Sequence, residues 1–165
     1  MNAVEVLSTL AQIALGLAGF SAVLIALSGE PSRWTAVDSF RITGMLAYSF
    51  GALFLSLIPF VLGSFSIPES TAWRVASGFA GFFLLGGSAL ALRRFRRLST
   101  QDRVALGSRT AYANQGVLSL IGLLELGAAV GLVKPSAGFF ILGLVVLLGF
   151  AAYIVARFLF ARPAA

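Results

Sequence analysis

Residues 119–132 read SLIGLLELGAAVGL, and one carboxylate, Glu125, sits near the middle of that apolar run. Such a stretch is apolar enough to lie inside a bilayer. A charge at the centre of a spanning helix costs about 2.5–3.5 kcal/mol even on the lenient insertion scale, so an acid there needs a reason. The cost is smaller for a carboxyl that keeps its proton. On a helix, Gly122, Ala128 and Ala129 lie three or four residues from Glu125, with Ile121 on the flank. Leu120, Leu123 and Leu124 point elsewhere. Small-residue faces in membranes mark helix–helix contacts, because backbones can approach closely there. Glu125 is therefore expected to face protein or a cavity rather than lipid.

The rest of the chain has the same character. Of its 165 residues, 59% are hydrophobic and only 11% are charged, against about a quarter charged in a soluble domain. A soluble core of this size cannot hide that much apolar surface, so lipid must cover it. The chain contains no cysteine and no histidine. That removes disulfides, thiolate metal sites, the usual haem ligand and the commonest general base. Neither a metal nor a cofactor is expected. No phosphate-binding glycine loop, zinc spacing or nucleophile beside a base occurs, so an enzyme is not expected.

Five apolar runs of about 20 residues each match a ~30 Å hydrocarbon layer. They lie at about residues 4–27, 36–63, 71–92, 112–133 and 137–160. The first has no preceding Lys or Arg and is long, so a retained span is expected in place of a signal peptide. Thr35 and Asp38 form a capping box before the second run, and Pro59 lies inside that run. The one long polar segment, residues 93–111, opens RRFRR; Ser99 and Asp102 can cap a helix there. That helix is expected to continue unbroken into the fourth span. Lys134-Pro135-Ser136 reads as a tight turn. The expected fold is an all-α integral membrane bundle of five transmembrane helices, one domain over residues 1–165.

Five spans put the termini on opposite sides, and the positive-inside rule chooses between two topologies. With the N-terminus outside, Arg33, Arg41, Arg93, Arg94, Arg96, Arg97, Arg103, Arg109, Arg157 and Arg162 are cytoplasmic. Only Arg74 and Lys134 are then external. The expected location is the cell (inner) membrane, with the C-terminus cytoplasmic. The net charge of +6 follows from this clustering, and no nucleic-acid partner is expected.

In this topology Glu125 lies about eight residues, roughly 12 Å of helix rise, from the outer end of its span. Gln12, Ser56 and Ser77 fall at similar depth, and Glu5, Ser8 or Thr9, and Gln12 form a stripe on the first helix. The expectation is a polar layer of Gln12, Ser56, Ser77 and Glu125, with Gln12 bonded to Glu125 and Glu5 at the rim. Its functional reading is an ion or proton path; its structural reading is hydrogen-bonded glue. Ala14, Ala18, Ala22 and Ala26, then Ser77-x-x-x-Gly81, Gly87-x-x-x-Ala91 and Gly127-x-x-x-Gly131, offer many small faces. They point to a homo-oligomer or to docking on another membrane protein. Arg93, Arg94, Arg96 and Arg97 anchor the third span and attract anionic headgroups by about 1 kcal/mol per charge. Two functions follow from these readings. One is a small oligomeric ion or proton channel or transport protein; the other is a non-catalytic accessory or scaffold subunit of a larger membrane complex.

Overall fold

The apolar runs fold as helices. The computed structural model describes residues 2–27, 34–65, 67–133 and 137–160, with six helices and no strand among the described residues. They are α1 (Ala3–Leu27), α2 (Ala36–Ser64), α3 (Glu69–Arg96), α4 (Thr100–Leu106), α5 (Ser108–Ala129) and α6 (Ala137–Phe160). Four of them, α1, α2, α3 and α6, are long and apolar enough to cross a membrane. The expected turn at residues 134–136 and the flanking arginines Arg33 and Arg162 lie outside the described residues.

Local chemistry sets the boundaries. Thr35 and Asp38 cap α2 reciprocally: Thr35 Oγ1 accepts from the Asp38 N–H at 3.1 Å, and the Thr35 N–H donates to Asp38 Oδ2 at 3.2 Å. Ser99 Oγ likewise accepts from the Asp102 N–H at 3.1 Å and starts α4.

The polar segment does not run unbroken into the fourth span. Gly107 takes φ 77°, ends α4 and precedes α5. That left-handed backbone suits glycine, which has no Cβ to clash with the following carbonyl. The fourth span is also displaced from residues 112–133. α5 covers Ser108–Ala129 and closes with a Schellman motif, in which the Leu132 N–H donates to the Gly127 carbonyl at 2.8 Å and the Gly131 N–H to the Ala128 carbonyl at 3.2 Å. Gly131, at φ 84°, makes that reversal possible.

The α3–α5, α1–α2 and α2–α6 interfaces build the bundle. α3 and α5 share the most extensive interface. It runs from the Phe95–Tyr112 ring contact (centroids 5.4 Å apart) through Gly122 against Leu84 and Leu85 to Gly78 beside Ala129. α2 and α6 pair through Gly44 with Ile154 and Tyr48 with Phe150. α1 packs on α2 and α6. Large apolar side chains lie outside the bundle as well as inside it, where Leu7, Leu118, Phe140 and Leu144 are buried. Ala14, Ala52, Ala76 and Ala151 are buried, whereas Phe54, Leu120, Leu123 and Phe82 (74% exposed) face outward. So broad an outward apolar surface suits a lipid solvent.

Candidate functional site

Glu125 is sealed inside the bundle, with 1% of its surface exposed. It projects from the α5 face that carries Leu118, Gly122 and Ala128, all buried. Ser77 of α3 lies beside it, and on α6 its Oε1 comes within 3.4 Å of where a Cβ on Gly143 would stand. A Cβ at 143 would stand at about ordinary contact distance from the carboxyl, so α6 comes close to Glu125 there. Neither carboxylate oxygen reaches hydrogen-bond geometry with any group among the described residues, and the Ser77 hydroxyl is also unbonded. Most buried polar atoms in proteins are paired, so two orphaned carboxyl oxygens are a pronounced exception.

The other members of the expected polar layer do not gather around it. Gln12 is exposed on α1, and Glu125 makes no hydrogen bond, so the Gln12–Glu125 bond is absent. The reason is azimuth: α1 packs on α2 and α6, away from α5. Ser56 is buried on α2 and satisfies itself by donating to the Leu53 carbonyl at 2.8 Å. Glu5 is exposed and accepts from the Asn2 N–H at 3.3 Å. Only Ser77 is brought to the carboxyl. Arg93, Arg94, Arg96 and Arg97 are exposed at the end of α3.

A second feature escaped the sequence reading. A cleft of about 400 Å³ lies between α2, α3 and α5 in the half of the bundle that holds the arginine segment. Its walls include Thr43, Gly44 and Ala47 of α2, Phe83, Gly87 and Ala91 of α3, and Leu118 of α5. Polar groups are few. Gln115 Nε2 donates to the Tyr48 hydroxyl at 3.1 Å, leaving Gln115 Oε1 buried and unbonded. Ser88 Oγ is buried and unbonded as well, and Arg94 stands at the arginine-rich end. The signal in the sequence was Gly87-x-x-x-Ala91. Its small residues read as a packing face, yet they line an opening. Glu125 is not among the residues lining this cleft.

No protein-family model matches the chain, and no curated protein or solved structure matches it.

Proposed function

We propose that the protein is a small multi-pass membrane transport protein of the cell (inner) membrane in which Glu125 carries a proton through the bundle. The observation behind this reading is the carboxyl itself: 1% exposed, with both oxygens unbonded. An ionisable group inside a membrane bundle is costly and marks a conduction or transport site by default. Its one polar neighbour among the described residues is Ser77 of α3, a thin set of partners for a purely structural carboxyl.

The reading includes five spans with the N-terminus outside. α5 lies antiparallel along the length of α3, itself long and apolar enough to cross, so the two share one depth range. Its 22 residues extend about 33 Å, enough for the hydrocarbon layer. Arg41, Arg94, Arg103, Arg109 and Arg157 collect at one end of the bundle, whereas Arg74 sits at the other beside Gly131. By the positive-inside rule, that asymmetry supports a cytoplasmic position for the arginine-rich end. The exposed small residues Gly16, Gly19 and Ala22 on α1 supply a face for self-association.

A second reading, an accessory or scaffold subunit, is favoured by a separate observation: the cleft of about 400 Å³ does not reach Glu125. Proton uptake into vesicles under an imposed potassium diffusion potential tests the two. Transport predicts uptake by the wild type and its loss in Glu125→Gln, with helical content unchanged by circular dichroism. Equal proton leak in protein-free vesicles, wild type and variant sinks the transport reading and leaves the scaffold one.

A further inference from the structure

The cleft and its surroundings have a directional chemistry that Glu125 does not explain. At one end, the Phe83 ring lies against Gly51 and brings α2 and α3 together. At the other, Arg94 stands at the rim, and no hydrogen bond or ion pair engages its guanidinium among the described residues. From Phe83 to Arg94 is eleven helical residues, a rise of about 16 Å. One leaflet of hydrocarbon is about 15 Å deep, half of the ~30 Å core. The cleft therefore has the length of one leaflet, closed towards mid-membrane and basic at the surface.

The walls match an amphiphile. Thr43, Ala47, Gly87 and Leu90 are exposed along the rim, so the cleft opens sideways between α2 and α3 towards lipid. Its volume of about 400 Å³ falls within the usual range for small-ligand sites, roughly 300–1,000 Å³. Ser88, 5% exposed, presents an unbonded hydroxyl six residues, or about 9 Å of rise, from Arg94. That spacing suits an ester carbonyl below a phosphate.

We propose that the cleft holds one acyl chain of an anionic phospholipid from the arginine-side leaflet, its ester carbonyl on Ser88 and its phosphate on Arg94. The site depends on the chain spanning a membrane and is independent of the role given to Glu125. Charge complementarity selects an anionic headgroup: Arg94 lines the open end, and no acidic residue lines the cleft among the described residues.

The test uses the full chain in vesicles of phosphatidylcholine and phosphatidylglycerol, extracted in mild detergent and weighed by native mass spectrometry. One phosphatidylglycerol per chain is expected to stay bound in preference to phosphatidylcholine. Gly87→Phe fills the cleft, and a Cβ there meets nothing within 4 Å, so bound lipid is expected to disappear. Arg94→Gln is expected to lower the preference for phosphatidylglycerol about fivefold. Arg93→Gln, outside the lining, leaves it unchanged. A phosphatidylglycerol carrying a photoreactive acyl chain, used on the wild type, is expected to label the cleft walls at Ala47, Gly87 and Leu90. Retention of lipid by a folded Gly87→Phe overturns the proposal. So do equal effects of the two arginine substitutions, which reduce the arginines to surface attraction, and even labelling of every lipid-facing helix. A dimer crosslinked through position 47 also overturns it, because a second copy then fills the groove.

Discussion

Replacing Glu125 by leucine separates a functional carboxyl from hydrogen-bonded glue by the sign of one number. Both oxygens are buried and unbonded, and an unsatisfied buried polar group costs about 1–3 kcal/mol. Leucine is close to glutamate in size and removes that penalty. Imperfect shape against Gly143 and Ser77 returns less than about 1.5 kcal/mol. The expected net effect of Glu125→Leu is stability unchanged or raised, by up to about 3 kcal/mol, with proton transport lost. By the same reasoning Ser77→Ala should not destabilise, because the buried Ser77 hydroxyl bonds nothing among the described residues. Equilibrium unfolding in mixed micelles, titrating a denaturing detergent into a mild one, gives both values. Glue predicts the reverse: interhelical bonds in membrane bundles contribute about 0.6 kcal/mol each and up to about 1.7, and that is lost with the carboxyl. A drop of about 1 kcal/mol in Glu125→Leu, with coupling to Ser77 in a double-mutant cycle, refutes the reasoning.

Three other substitutions follow from packing and backbone. In Gly81→Ala the new methyl lies 2.7 Å from Leu126 Cγ and 2.9 Å from the Gly122 carbonyl oxygen, whereas at Gly86 it meets nothing within 4 Å; the first should be less stable than Gly86→Ala by about 1–3 kcal/mol in the same unfolding assay. Gly107→Ala forces a Cβ into a backbone at φ 77° and should cost about 1–2 kcal/mol, whereas the same change at the helical, open Gly116 should not destabilise. Leu118→Ala removes a buried side chain from the deep wall of the cleft; it should cost about 2–5 kcal/mol and raise proton uptake, and the increase should vanish when Glu125→Gln is added.

Much of the fold was readable because membrane helices announce themselves by length and apolarity. The runs at 4–27, 36–63 and 137–160 lie within a residue of α1, α2 and α6, and the Thr35–Asp38 box caps α2 as written. Boundaries failed where glycine conformation decides them. Nothing in the composition around Gly107 or Gly131 says that these residues turn left-handed while Gly116 and Gly122 stay helical. The candidate site was readable in depth and unreadable in azimuth. Counting residues from a helix end places Gln12, Ser56, Ser77 and Glu125 near one level. Which helices are neighbours depends on the order of packing, and that order separates Gln12 from Glu125 while bringing Ser77 to it. The cleft was hidden for a related reason. A small-residue face reads the same whether a neighbouring helix fills it or stands away from it.

Position along α5 connects the two features. Leu118, Gly122 and Glu125 follow at intervals of four and three residues, so they share one face of the helix. Leu118 forms the deep wall of the cleft together with Leu84, and Leu84 also packs against Gly122. Glu125 lies two turns beyond Leu118, about 10 Å further along. The carboxyl is therefore on the far side of the cleft's closed end, separated from it by two leucine side chains and the Gly122 contact. If Glu125 carries protons as proposed, Leu84 and Leu118 are the side chains that separate it from the cleft. Side chains change rotamer far faster than packed helices move. The α3–α5 seam is tight where Gly78, Gly81 and Gly122 bring the helices together, and Leu84 packs into it against Gly122. On the proposed transport reading, movement of Leu84 and Leu118 would give a carboxyl with 1% exposure access for its proton.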